Sequence, residues 1–447
     1  MPSQRALSEH LIIGDLIAED GVPSDPFFLP RDVLNEHAYL CGQTGSGKTS
    51  VGFIPLLHQL TRPYRKPIRD AKGNIVSDGN GKPAFMDLAP QWSEHRPPIV
   101  ILDLKGDPVL FNTARLLAAQ RGYPFRFFSI DERKASHVFD PFQNLQPRSP
   151  IEFCEIILSA LSLLHGDAYG ESYFAAQHRF ALLKALAPAP DTRRTIRDWK
   201  HIWDLLLPSP KRGDPTRALS KDATHLLTVI YALTFYPQMR ADGRSSDSRG
   251  VIHMPTVIED RQMVYFWLPA ESEMSVREIG KLAIYALHTA AKERSEAKPP
   301  RQTYVFIDEF HLLASEKLDR ILTTARQRGL TFIMANQHSG ALRLKTFDLR
   351  ATVMNSTRFK QFFTVSSLDD LRELMELSGE KSRYLETFGW STRYAPGIFG
   401  ANLVTGHTDS YSRREEITSR LNCDMLRRIN ADQLRTGESI TVVITEA

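Results

Sequence analysis

Apolar residues in this chain follow two spacings, and the alternation between them predicts its architecture. The unbroken runs Ala38-Tyr39-Leu40-Cys41, Ile99-Val100-Ile101-Leu102, Tyr304-Val305-Phe306-Ile307 and Leu330-Thr331-Phe332-Ile333-Met334-Ala335 read as strands buried on both faces. Phe125-Arg126-Phe127-Phe128 and Met263-Val264-Tyr265-Phe266-Trp267-Leu268 read as further strands. Between them, helical spacing takes over: Val51, Ile54, Leu57 and Leu60, then 115–121, 276–291 and 318–326. Strand, helix and strand in alternation predict an α/β fold around a parallel central sheet.

The rhythm breaks twice. Turn-forming residues at 69–74 and 77–83 flank the short apolar pieces Ile75-Val76 and Ala84-Phe85-Met86, which implies an inserted hairpin or a mobile loop. From Pro150 to about Phe235, helical stretches at 151–164, 173–186, 199–207 and 219–235 predict an inserted all-helical lobe, with a polar link at 243–250. The α/β pattern then resumes, through 359–365 and a helix at 368–378, to a closing strand at 439–444. The expected organisation is an N-terminal lead (1–30), a split α/β domain (31–149 and 251–447) and an all-α domain (150–250).

Directly behind the first strand lies Gly42-Gln43-Thr44-Gly45-Ser46-Gly47-Lys48-Thr49, a Gly-x4-Gly-Lys-Thr phosphate loop. Gly42, Gly45 and Gly47 let the backbone N–H groups of the Thr44–Ser46 turn point inward around phosphate oxygens, and the following helix presents its positive pole. Lys48 is expected to reach the β and γ phosphates, and Thr49 a magnesium ion. Pro55 lacks an N–H and should kink the helix.

Two strands end in aspartate and suggest different enzymes. Asp103-Leu104-Lys105-Gly106 is an Asp-x-x-Gly of the GTPase type, but no Asn-Lys-x-Asp follows it anywhere, which excludes guanine specificity of that kind. Asp308-Glu309 places a metal-orienting carboxylate beside one able to polarise water, the division of labour that phosphoryl transfer to water requires. Gln337 ends the next strand, where it would stand near a γ-phosphate. Arg326 and Arg328 lie between the two strands; each fits either transition-state stabilisation across a subunit boundary or an ordinary cationic helix end.

Composition narrows the class. The chain has 447 residues, of which 42% are hydrophobic, ample for a large core. The apolar helical stretch 153–164 is shorter than the roughly 20 residues of a membrane span and contains Glu155. With no leader-like apolar run near Met1, a cytoplasmic protein is expected. Cys41, Cys154 and Cys423 have no metal-ligand spacing. The net charge of +4 equals the excess in 191–250, eleven Lys and Arg against seven Asp and Glu, which suits a polyanion face and a solvated helical surface equally.

Four stretches together resemble the FtsK/HerA superfamily of DNA translocases, and more closely the TraG/TraD-like coupling ATPases of conjugation and type IV secretion. They are 42–57 with Pro55, 102–107, Phe139-Asp140-Pro141-Phe142, and 306–342 with Asp308-Glu309-Phe310 and Gln337. The resemblance implies a RecA-like P-loop NTPase of the ASCE type with an all-helical insertion. It implies ATP and Mg2+ as cofactors, hydrolysis through Asp308 and Glu309, and six subunits around DNA with an arginine completing a neighbour's site. Family members commonly begin with membrane-spanning helices, absent here, and the insertion at 75–86 does not match the family pattern.

Two functions follow. In the first, the chain is an ATP-driven DNA translocase whose Arg343, Lys345, Arg350, Arg358 and Lys360 grip the phosphate backbone, with strand type left open. In the second, it is a nucleotide-gated adaptor whose helical lobe recruits a relaxase or effector through Trp199, Trp203, Tyr231, Phe235 and Tyr236, residues that equally suit a buried helical face.

Overall fold

The computed structural model describes residues 10–17, 23–72, 74–145, 150–163, 172–186, 198–207, 223–242, 250–270, 275–343, 348–365, 367–396, 402–421, 426 and 441–445. They fall into two compact units, 1–363 with 441–447, and 364–440.

The first unit opens with an antiparallel hairpin, β1 (His10–Ile17) and β2 (Pro23–Pro30), whose Leu11 and Leu29 are buried in the core. Next come β3 (Ala38–Cys41), then a second hairpin, β4 (Arg65–Pro67) with β5 (Phe85–Asp87), extended by bridges at Arg69–Ile75 and Ser77–Pro83. The insertion is thus a hairpin. The remaining strands of the domain are β6 (Ile99–Asp103), β7 (Phe125–Ser129), β8 (Met263–Trp267), β9 (Thr303–Asp308), β10 (Leu330–Asn336) and β11 (Phe359–Phe362).

The second unit contains helix Leu368–Leu377 and a long antiparallel ribbon, β12 (Glu380–Pro396) and β13 (Asn402–Ser419). The chain then re-enters the first unit as β14 (Val442–Thr445). The eight-stranded sheet has the order β14-β11-β3-β10-β9-β6-β8-β7. Every pairing is parallel except β14 with β11, so the closing strand is an antiparallel edge. It starts at Val442; residues 427–440 lie outside the described residues.

Strands β3, β6, β9, β10 and β11 are buried at every residue, as sheet covered on both faces requires. On one face lies helix Pro108–Arg121, which packs Phe111 edge-on against Tyr265 and Trp267. Its ends are written locally: Asp107 accepts from the Val109 and Leu110 N–H groups, Pro108 fits the first turn, and Gly122 closes it in the left-handed region. The N-cap alone contributes about 1 kcal/mol.

Helices Pro150–Ala160, Ser172–Leu186, Trp199–Leu206 and Thr224–Leu233 stand where the all-helical lobe is expected. Its aromatic residues divide. Trp199 is fully buried against Phe142, ring centroids 4.9 Å apart, whereas Tyr231 and Phe235 are 45% and 62% exposed. Most of the basic excess of 191–250, Cys423 and nearly all of the 243–250 link lie outside the described residues. No helix among the described residues is long and apolar enough to cross a membrane.

Candidate nucleotide site

The phosphate loop leaves β3 in the middle of the sheet, clamped between β10 and β11. Gly42 N–H donates to the Asn336 carbonyl at 3.1 Å, and Phe363 N–H to that of Cys41 at 2.7 Å. A Cβ on Gly42 would lie 2.5 Å from the Phe363 Cβ, so only glycine allows the loop to pass this closely. Gly47, at φ 98°, turns the chain into its helix. That helix begins as a wide π-type coil over Lys48–Phe53 and narrows to an α-helix at Ile54–Leu60. Pro55 sits where the coil changes, so the expected kink takes the form of a change in helical winding. Phe53 anchors the coil edge-on to Phe306 of β9, 5.5 Å away.

Lys48 Nζ donates to the Gly42 and Gln43 carbonyls at 2.5 and 2.9 Å. Burial lowers the pKa of its ammonium, while Glu309 and Asp308 pull it back up.

Asp308 and Glu309 end β9, separated from β3 by β10. Asp308 Oδ1 accepts from the Glu309 N–H at 3.0 Å; Oδ2 is buried with no hydrogen-bond partner among the described residues. Burial, then the neighbouring Glu309 and Asp103, pushes the Asp308 pKa up to about 7. Glu309 occupies the left-handed region at φ 55°, a conformation that costs a non-glycine residue about 1–2 kcal/mol. Gln337 Nε2 donates to Glu309 Oε1 at 3.1 Å, and His311 Nδ1 stands 3.5 Å from Oε2. Asn336 fixes His311 by accepting its N–H at 2.9 Å. Burial lowers the His311 pKa against the pull of Glu309, keeping the imidazole neutral at neutral pH.

Lys48, Asp308 and Glu309 line a common cleft of about 220 Å³. The loop contributes Thr44, Gly45, Gly47, Lys48 and Thr49, and the strand ends contribute Lys105, Asp107, Asp308 and Glu309. Gly42 and Ser46 support the loop from behind; Ser46 is buried. Lys105, Asp107 and His311 were not singled out from the sequence. The first two follow β6, which lies beside β9, so the pairing of those strands is the missing signal.

Asp103 has a different task. Its carboxylate accepts from the N–H groups of Lys105, Gly106 and Asp107 at 2.7–3.1 Å and from the Tyr265 hydroxyl at 2.6 Å. Every lone pair that could face a ligand is engaged in holding the β6 turn.

The arginines stand elsewhere. Arg326 pairs with Glu36 at 2.6 Å, and Arg328 Nη1 donates to His288 Nε2 at 2.9 Å, both before β10 begins. Gln337 follows the far end of that strand, whose seven residues span about 20 Å, so neither arginine enters its own chain's cleft. Among the expected DNA-gripping residues, Lys360 must be withdrawn: it is fully buried in β11, its ammonium donating to the Thr357 carbonyl at 2.5 Å. Arg343, two-thirds exposed, stands 3.7 Å from Asp348, Arg350 pairs with the same Asp348 at 2.8 Å, and Arg358 pairs with Glu36 at 3.0 Å. Lys345 lies outside the described residues.

A family model described as the TraM recognition site of TraD and TraG matches residues 302–429, from the start of β9 to beyond β13. That segment is similar to the corresponding part of TraD and TraG. The chain's fold agrees with that of a bacterial conjugative coupling protein, TrwBdeltaN70. The unbound monoclinic form of TrwBdeltaN70 superposes with a TM-score of 0.53 at 16% identity, covering 92% of this chain and 83% of that one. The trigonal form, in complex with sulphate, gives 0.54 at 16%, covering 93% and 84%. A search of curated proteins returns no match. The chain therefore shares the fold of TrwBdeltaN70, and here the mostly parallel sheet carries a phosphate loop at the carboxyl ends of its strands.

Proposed function

We propose that the chain is an ATP-hydrolysing motor that moves or grips DNA. The observation that carries this reading is the pairing of an unpartnered, buried Asp308 oxygen with Lys48 and Thr49 across one small cleft, beside a Glu309 held in position by Gln337. Loop N–H groups and Lys48 bind the β and γ phosphates, and Glu309 accepts the proton of the attacking water. The free Asp308 oxygen and the Thr49 hydroxyl fit a Mg2+ ion, which would neutralise charge on the phosphate oxygens when bound. Gln337, bonded to Glu309, links that base to the end of β10.

Because Arg326 and Arg328 lie at the opposite end of β10, either would act only on a neighbouring subunit's nucleotide, which favours a ring, six subunits being the family expectation. Arg343 remains the best placed of the backbone-gripping candidates by its exposure.

A second reading, a nucleotide-gated adaptor, draws support from the TraM-recognition description of residues 302–429, which excludes the helical lobe. The two differ in whether DNA accelerates turnover. Nucleotide trapping tests the site itself: Glu309→Gln should retain labelled ATP through gel filtration, whereas Lys48→Ala should retain none. Hydrolysis persisting in both variants would sink the assignment.

A further inference from the structure

The sheet has a second charged cleft, at its other end. About 670 Å³ in volume, it lies beside the starts of β6 and β9, where Pro97 and Gln302 line it, while the nucleotide cleft lies beyond their finishes. Six cations line it, Arg31, Lys66, Arg69, Arg261, Arg294 and Arg301, against a single acid, Asp32. Lys66 and Arg69 belong to the β4–β5 hairpin and its extension.

The cations are crowded more closely than their counter-ions explain. Glu259 alone serves Arg294, Lys298 and Arg301, at 3.1, 3.2 and 3.2 Å. Arg261 donates to the Arg96 carbonyl at 3.1 Å and has no acidic partner among the described residues, and burial and the neighbouring Arg301 and Arg294 lower its pKa. Arg31 donates to the Gln59 carbonyl and lies 4.1 Å over the Tyr64 ring, its Nε buried without a partner. Like charges held this close call for a polyanion, and planar guanidinium groups match phosphate oxygens.

We infer that this cleft binds the phosphodiester backbone of single-stranded nucleic acid, with the β4–β5 hairpin as its outer wall. The choice of polyanion rests on the DNA-motor reading; the anion site itself does not. A single strand can enter the cleft and set a base against the Arg31–Tyr64 stack, whereas a duplex touches only the rim. Lys66 and Arg69 are exposed, so replacing them leaves the fold intact.

The test is anisotropy of a labelled oligothymidylate titrated with the full chain at several salt concentrations. Lys66→Gln combined with Arg69→Gln should weaken binding and reduce the slope of log affinity against log salt by about 1.4, the release expected for two phosphate contacts. ATP turnover without DNA should be unchanged. If that slope holds while Arg343→Gln weakens binding, the cleft assignment is overturned and the DNA-motor reading stands. If the wild-type chain binds no oligothymidylate, the cleft assignment falls, and the DNA-motor reading falls with it only if duplex DNA is not bound either. Polyglutamate binding more tightly than oligothymidylate, and losing that binding in the double variant, would make the occupant an acidic protein segment and overturn the nucleic-acid assignment.

Discussion

Asp103 and Asp308 stand opposite each other at the ends of neighbouring strands β6 and β9, yet of the two only Asp308 keeps a carboxylate oxygen without a partner among the described residues. Asp103 spends its acceptors on three backbone N–H groups and the Tyr265 hydroxyl. Its charge nonetheless helps to raise the Asp308 pKa. One acid thus builds the turn, and its neighbour is left for a ligand.

Removing the hydroxyl from Tyr265 should expose that division. Tyr265→Phe deprives a buried carboxylate of a 2.6 Å hydrogen bond, and urea unfolding should show a loss of about 2 kcal/mol. A change below about 0.5 kcal/mol would mean that Asp103 does not depend on this bond.

Gly42→Ala should damage the loop through contact alone. The added methyl would sit 2.5 Å from the Phe363 Cβ and 3.2 Å from its Cα, so relief requires β11 or the loop to move. We expect about 1–3 kcal/mol of destabilisation and weakened nucleotide binding, read by thermal melts with and without ATP. Full retention of both would show the passage to be roomier than the geometry implies.

Glu309→Gly separates strain from chemistry. Glycine takes φ 55° without penalty, so stability should hold or rise by up to about 1 kcal/mol while ATP hydrolysis disappears. A marked fall in stability would assign Glu309 a structural role instead.

His288 predicts an acid-sensitive fold. Burial first, then Arg328, lowers its pKa to about 3, and as a neutral ring it accepts the Arg328 hydrogen bond. A histidine with its folded pKa depressed below the unfolded value of about 6.5 binds its proton in the unfolded chain first, so stability present above pH 6.5 is lost as pH falls toward 3. Between pH 7 and pH 4.5 the difference between wild type and His288→Gln should narrow by about 2 kcal/mol. Parallel pH profiles would contradict the buried neutral imidazole.

What the sequence made legible was whatever is encoded by neighbours along the chain. The run of β3, the glycines behind it and Lys48 identify the loop, and Asp308-Glu309 at the close of an apolar run marks the acid pair. What stayed hidden depends on which strands lie side by side. Lys105 and Asp107 enter the cleft because β6 pairs with β9, and Lys360 is buried because β11 pairs with β3 and β14 on its two edges. The ribbon β12–β13 also escaped notice. Its middle sets Phe388 and Trp390 on one face against Gly389 and Ser391 on the other, an alternation without the buried apolar run that marks the other strands.

The central claim is that the cleft hydrolyses ATP in the service of DNA movement. The most direct measurement is ATP turnover by the wild-type chain and by Glu309→Gln, without DNA and with single- or double-stranded DNA. The account predicts wild-type turnover raised by at least one form of DNA and no turnover in Glu309→Gln under any condition. Turnover indifferent to both forms, or surviving the loss of Glu309, would contradict it.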